Sequence, residues 1–311
     1  MELRQLRYYV AIVDHGSLSR AARVLHIAQP ALTQQIQNLE VELGAKLLHR
    51  SAQGVLATDT GKTFYEHALA ILKQVDDAKA AVAQTTSNPT GSVALGMPQS
   101  VSGALALPLL KAVRETYPEI TLQLTEELSG NLFEQLRSGR LNLAVLFDDG
   151  QLTVFEKTPL VEETMMFITC ANSRFGITRS SIPLAKVVQL PLILPSLQHG
   201  VRPRIENVVR ANTMALTNVI EINSVAILKS ALLADLGVTI LPTAPFLSEI
   251  ERGLLSAYPI TGATISRTIA LCSSKNIPLT DAASAVERLV IDVTADLCRL
   301  GTWPGAHALG G

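Results

Sequence analysis

Apolar positions in the first sixty residues come in short blocks at three- and four-residue spacing, and each block is closed by a residue that stops a helix. Leu18, Ala21, Ala22 and Leu25 share one face of a short predicted helix. Gly16 ends the helix before it, because glycine takes the left-handed C-terminal conformation without steric cost, and Ser17 offers an N-cap hydroxyl to the new one. His26, Ile27 and Ala28 make a tight turn. Pro30 then lies in the first turn of a further helix, where its missing N–H costs little, and Gly44 closes that helix. Its buried stripe is predicted to be Leu32, Ile36, Leu39 and Leu43.

Two short helices crossing at a tight turn make a helix-turn-helix, and DNA is the first partner to consider. The outward residues of the second helix are Gln29, Ala31, Thr33, Gln34, Gln37 and Asn38, beside Pro30. Glutamine can bridge adenine N6 and N7, and alanine and threonine methyls can meet thymine methyls. Residues 47–50 and 54–57 are predicted to pair as a hairpin wing. That puts Arg50, with Lys46 and His49 nearby, within reach of a phosphate or the minor groove.

From residue 58 to about 86 there is no proline, and Phe64, Ala68, Ile71, Val75, Ala78 and Val82 alternate steps of four and three. This is the seam of a coiled coil, and a helix of that length, roughly 40 Å, calls for a partner. The competing expectation is that the stripe packs on its own domain. A polar break, Ser87-Asn88-Pro89-Thr90-Gly91, follows as a hinge. Beyond it, apolar runs such as 143–147, 165–169, 190–194 and 238–241 read as strands buried on both faces, alternating with helical stretches at 105–117, 202–211, 225–236 and 281–300. The second half is therefore α/β. Two turns echo each other, each a strand, a proline, then hydroxyl and glycine residues, and two such turns facing one another would frame a cleft.

The block from Leu3 through Gly61 resembles the N-terminal domain of LysR-type transcriptional regulators. The resemblance rests on Leu6 with Tyr9 and Val10, Gly16-Ser17-Leu18 with Ala21-Ala22, Gln29-Pro30-Ala31-Leu32-Thr33, Leu39-Glu40 with Leu43-Gly44, Leu48 with Arg50, and Thr58 with Gly61. Ala28, Thr33 and Gln34 depart from the serine, serine and arginine frequent there, which implies weaker phosphate anchoring and a changed base preference. The stretch His-Ile-Ala-Gln-Pro-Ala-Leu-Thr-Gln-Gln is similar to nitrogen-assimilation control regulators within the family.

The resemblance implies a winged helix-turn-helix over 1–58, a dimerising linker helix and hinge over 59–91, and an effector domain over 92–300 similar to periplasmic solute-binding proteins. Its lobes would be 92–161 with 267–300, and 162–266, followed by a frayed tail at 301–311. Gly237-Val-Thr-Ile-Leu-Pro242 is the best local marker of that domain. DNA-contacting residues carried over are Ser17, Gln29, Pro30, Ala31, Thr33, Gln34, Asn38 and Arg50. Effector contacts carried over are Ser100, Ser102, Ser129, Asn131, Ser196, Gln198 and His199, with Phe147 as wall. Hydroxyls at helix N-termini suit a small anion. For each serine taken singly, capping its own helix is an equal expectation, and Arg202 and Arg204 would pair an anion or lie solvated. Dimers are expected to pair into tetramers whose DNA bending changes as a ligand closes the lobes. RNA polymerase is a further candidate partner.

Composition narrows the alternatives. At 311 residues, 48% hydrophobic and net charge −1, the chain is neither a polycation nor membrane-seeking. Residues 1–66 carry seven Lys and Arg against six Asp and Glu, so DNA affinity has to come from placed contacts and dimerisation. Cys170, Cys272 and Cys298 lack paired spacing, and buried structural thiols in a reduced, cytoplasmic setting are expected. Glu2, Arg4, Arg7 and Asp14 are charges that a secretory apolar region does not tolerate, so no leader is expected in the first fifteen residues, and no apolar run is long enough for a membrane span. No G-x-S-x-G, P-loop, G-x-G-x-x-G after a strand, or H-E-x-x-H is present, so no catalytic residue, metal or cofactor is expected. The competing functions are an effector-independent DNA binder, and a solute-binding module or enzyme with a helical arm.

Overall fold

A computed structural model describes residues 1–51, 54–83, 89–175, 180–197 and 200–309. The chain divides into two compact units, Met1–Thr85 with Arg137–Arg140, and Thr86–Leu136 with Leu141–Gly311.

The first unit opens with three helices, α1 (Leu3–His15), α2 (Leu18–Val24) and α3 (Gln29–Leu43). Gly16 and Gly44 both adopt the left-handed conformation as C-caps, at φ 58° and 64°. The Ser17 hydroxyl accepts from the Arg20 backbone N–H, whereas Ala28 caps α3 without a side-chain bond. Tyr9, Ile12, Ala21, Leu32, Ile36 and Leu39 are fully buried together. Leu43, expected in that stripe, is exposed. The buried residue at this end of α3 is Glu40, whose Oε1 accepts from the Leu47 and Leu48 N–H groups at 2.9 and 3.2 Å and whose Oε2 accepts from Lys46 at 2.9 Å. Burial alone would push this carboxyl up, but the bonds from Lys46, Leu47 and Leu48 outweigh it and hold it below its ordinary value. Those bonds launch the wing, β1 (Leu48–Ser51) paired antiparallel with β2 (Gly54–Ala57).

Helix α4 (Asp59–Ala83) follows at once. Gly61 lies so close to the wing that a Cβ there would stand 2.1 Å from the Leu47 carbonyl oxygen and 2.7 Å from the Tyr9 hydroxyl. The expected seam is divided. Phe64 packs edge-on against Tyr9 at 5.2 Å and Ala68 is fully buried within the chain, so both are spent internally. Val75 is half-buried, while Ile71, Ala78 and Val82 are exposed.

The second unit begins with β3 (Gly91–Met97), α5 (Gln99–Thr116), β4 (Ile120–Glu126), α6 (Ser129–Arg137), β5 (Leu143–Asp148) and β6 (Phe155–Thr164). The chain then builds β7 (Met166–Cys170), β8 (Ile182–Pro183), α7 (Leu184–Val187), β9 (Leu192–Leu194), α8 (Val201–Ala211), β10 (Val219–Glu221), α9 (Val225–Leu233), β11 (Thr239–Leu241), α10 (Leu247–Glu251), β12 (Leu255–Tyr258) and β13 (Ile260–Thr261). It returns through β14 (Ser266–Ser274), α11 (Asp281–Arg299) and β15 (Ala306–Ala308). A six-stranded sheet in the order β15-β6-β14-β5-β3-β4 carries one lobe, with α5 and α11 packed on one face. The second lobe has its own core around Phe167, Ile193, Ile205, Leu232 and Phe246. The chain passes between lobes after Thr164 and before Ser266, where Met165 N–H bonds Ile265 O at 2.8 Å.

The expected tail is a structural strap instead. Trp303 is 1% exposed, β15 pairs with β6, and Thr164 N–H bonds Gly305 O at 2.8 Å. An indole buried against the sheet and a strand completing its edge hold this segment in place.

Two outcomes test these contacts. Glu40→Ala strands two buried backbone donors and should cost about 2 kcal/mol or more in urea denaturation. Because the folded pKa is lowered, the Glu40 contribution is complete above the ordinary value of 4.5 and fades as pH falls through the folded value, a dependence that Glu40→Gln should lack. Gly61→Ala forces backbone apart at the wing and should lower stability by about 1–3 kcal/mol, read from thermal unfolding.

Candidate functional site

Helix α3 presents Gln29, Pro30, Ala31, Gln34, Gln37 and Asn38 to solvent, with Thr33 half-buried beside them. Gln34 donates to Asn38 Oδ1 at 2.9 Å, one turn on, which holds both amides in a fixed relation. Gln29 Oε1 accepts from the Ser19 hydroxyl at 2.8 Å, linking the start of α3 to α2. Ser17 is half-buried and engaged in capping, and Arg50 is exposed on β1 opposite Val55. The surface therefore offers amides, a methyl and one flanking cation, with no dense positive charge.

The second unit holds a cleft of about 290 Å³ between its lobes. Its walls are turns at the carboxyl ends of parallel strands, where open α/β sheets place ligands. Four helices start there: α5 at Gln99 and Ser100, α6 at Ser129 and Gly130, α8 at Val201, and α9 at Val225. Free N–H groups and the positive ends of four helix dipoles thus meet one space.

Of the residues expected to touch an effector, Ser100, Ser129 and Phe147 line the cleft. Ser102, Asn131 and Ser196 do not. The Ser102 hydroxyl bonds Glu126, Asn131 donates to Glu127 at 3.0 Å, and Ser196 N–H is taken by Asn223 Oδ1 at 2.9 Å, so each supports a wall from behind. Gln198 and His199 lie outside the described residues, as do Ser87 and Asn88 of the expected hinge. Ser100 is no cap, since α5 is capped at Pro98 without a side-chain bond. Arg202 and Arg204 do not line the cleft. Arg202 is buried on Glu206 and the Pro195 carbonyl, and Arg204 donates to the Asp148 carbonyl at 2.9 Å.

Sequence reasoning missed the centre of this site. Arg267, on β14, lines the cleft while only 2% exposed. Its Nε and Nη2 bind Glu163 Oε2 at 2.8 and 2.6 Å, Nη2 also donates to Ser100 Oγ at 3.0 Å, and its guanidinium lies 3.9 Å above the Phe147 ring centroid. Glu163 Oε1 accepts from Trp303 Nε1 at 2.9 Å. Burial lowers the Arg267 pKa and the Glu163 charge opposes that shift. The available signal was one arginine opening the apolar run Ser-Arg-Thr-Ile-Ala-Leu-Cys, on the same strand face as Ile269 and Leu271.

Burial, and then the charge of Asp148, push the Cys272 thiol up to about 12, which makes it inert. Among the described residues no cluster of three or more His, Cys, Asp or Glu could hold a metal, and no helix is long and apolar enough to cross a membrane.

Residues 3–62 match the bacterial regulatory helix-turn-helix protein of the lysR family, and residues 86–295 match the LysR substrate binding domain. The chain belongs to the LysR family. It is a LysR-type DNA-binding transcriptional regulator with an effector-binding domain, and not an enzyme. It is 34% identical over 296 residues to the nitrogen assimilation regulatory protein nac of Escherichia coli (strain K12), covering 94% of this chain and 95% of that protein. The nac protein of Klebsiella aerogenes is 33% identical, covering 95% and 96%. In fold the LysR-type chain is similar to a full-length OxyR variant from Pseudomonas aeruginosa, with a TM-score of 0.70, 22% identity and 94% of each chain covered. It is likewise similar to full-length CbnR complexed with its target DNA, with a TM-score of 0.68, 22% identity and coverage of 94% and 100%.

Proposed function

We propose that this regulator reads operator half-sites through Gln29, Pro30, Ala31, Thr33, Gln34 and Asn38, steadied by Ser17 and Arg50, and that a small anion held between the lobes of its second unit gates that activity. The observation that carries the gating is the cleft itself, where four helix N-termini and a buried arginine meet. Domains run as helix-turn-helix 1–58, linker 59–91 and effector domain from 92 onward, with the strap at 301–309 belonging to the effector domain. Two copies pair through the outer part of α4, where Ile71, Ala78 and Val82 are exposed and Val75 is half-covered. Dimers associate further into tetramers, work in the cytoplasm, and pass the signal to RNA polymerase through altered DNA bending. The effector-independent reading is supported by a different observation: Glu126 and Glu127 line the same cleft and oppose the positive helix ends.

Binding to the DNA upstream of its own gene, followed by anisotropy at fixed salt, tests the DNA half. Gln34→Ala should weaken or respecify binding roughly tenfold, the worth of one bidentate amide–base pair. Equal, weak binding of both proteins to operator and scrambled DNA would defeat the assignment. For assembly, Ile71→Glu with Ala78→Glu should remove one association step in sedimentation equilibrium, leaving the unfolding of each unit unchanged. An unaltered mass would exclude α4 from the interface.

A further inference from the structure

We infer that Arg267, fixed by Glu163 and by Trp303 of the C-terminal strap, is the anchor for a carboxylate, so that the cleft takes a small monocarboxylate with an apolar body. The inference rests on the ligand-gated reading of the cleft and names the class of ligand.

Arginine carries five N–H donors in a rigid fork. Three of them are engaged, two on Glu163 and one on Ser100. Nη1 is buried with no acceptor among the described residues. Leaving donors of a cation dry and unpaired is costly, and the space that Arg267 lines is the cleft. Glu163 cannot turn to satisfy Nη1. Its Oε2 is held on the Nε and Nη2 side and its Oε1 on the Trp303 indole N–H, so the strap keeps the free edge of the fork free. Arg267 and the first turn of α5 line the same cleft, so a carboxylate entering it lies beside the guanidinium edge and the N–H groups that start α5.

Charge sets the valence of the ligand. Glu163 neutralises Arg267, and the helix ends add only partial positive charge, which is enough for one anionic group. Glu126 and Glu127 line the same cleft and repel a second. Phe147, Val225, Leu228, Leu241 and Pro245 line the rest, which suits an apolar body. At about 290 Å³ the cavity lies at the small end of ligand pockets.

Trp303 is the chain's single tryptophan, so its emission reports directly on Glu163. Full-length protein is titrated to millimolar concentration with hexanoate, hexanamide and adipate, which share one carbon chain, while tryptophan fluorescence and thermal unfolding are followed. Hexanoate should shift the emission and raise the melting temperature, with hexanamide and adipate roughly tenfold weaker or more. Arg267→Gln combined with Glu163→Gln removes both charges together, leaves neither unpaired, and should abolish the preference for hexanoate over hexanamide. Trp303→Phe, followed by calorimetry, should reduce that preference, since the positioning bond to Glu163 is gone.

Equal binding of hexanoate and hexanamide to wild type, or hexanoate affinity unchanged in the double variant, overturns the anchor and leaves a ligand-gated cleft standing. If the double variant does not fold, the contrast among the three probes on wild type decides alone. No response to any of the three also overturns the anchor. Operator binding by wild type is measured beside these titrations, so loss of the DNA-regulator reading would be seen separately.

Discussion

A carboxylate with no exposed surface ties the effector domain together. Glu163, next to the last residue of the long strand β6, holds Arg267 from β14 with one oxygen and Trp303 from the strap with the other, while Arg267 reaches on to Ser100 in the first turn of α5. Four segments far apart in sequence are thereby brought to one point. Such a buried pair adds little net stability over a well-packed apolar substitute, yet removing one partner leaves a dry charge behind, at a cost of about 3–5 kcal/mol. The pair lies where the strap joins the sheet, with Ala306 of β15 opposite Glu163 of β6.

The DNA-binding unit uses the same device with backbone partners. Glu40 lies at the end of α3 and receives the first two N–H groups of the segment that leads into the wing, so helix and wing are joined through one buried side chain. Lys46 neutralises the charge from the solvent side. With the wing held by these bonds and by the Val55 N–H on the Gly16 carbonyl, Arg50 takes its position relative to the α3 surface from the hairpin that carries it. That matters because residues 1–66 are close to neutral: without bulk electrostatic attraction, affinity depends on how accurately each contact is placed.

The readable parts of the sequence were those where local rules and tertiary packing agree. Gly16, Ser17, Pro30 and Gly44 mark helix ends by local chemistry that any neighbourhood respects, and the structure has caps at Gly16, Ser17 and Gly44 and Pro30 in the first turn of α3. Leu43 was misread because periodicity counts spacing and cannot see that the core ends one turn earlier, where Glu40 is the buried residue. Helix α5 begins at Gln99, directly after its N-cap Pro98 and ahead of the stretch that apolar spacing marks, and beyond its first turn it passes close to the chain near Ala244. A Cβ at Gly103 would stand 2.7 Å from the Ala244 carbonyl oxygen. The serine-rich turns do border a cleft, since hydroxyls gather at helix starts, but which serines face it depends on partners such as Glu126 and Asn223 that no spacing reveals. Arg267, Glu163 and Trp303 were illegible for a stronger reason. Their meaning lies in contacts spanning more than a hundred residues, and singly each looks like a surface charge or a stray aromatic.

The strap connects the cleft to the junction of the lobes. Gly305 accepts from Thr164 at one crossing point, and Pro304 accepts from the Thr243 hydroxyl at 2.6 Å, just where the chain leaves β11. Ala244, the next residue, is buried in the core of the sheet-bearing lobe, while Phe246 is buried in the core of the other. Residues 303–305 therefore touch the partner of Arg267, a crossing strand and the segment shared by both cores. In close-packed protein such elements do not deform independently; they shift together between discrete arrangements. Through Glu163, a side chain that lines the cleft is thus joined by direct hydrogen bonds to the strap, and the strap to the residues that connect the lobes.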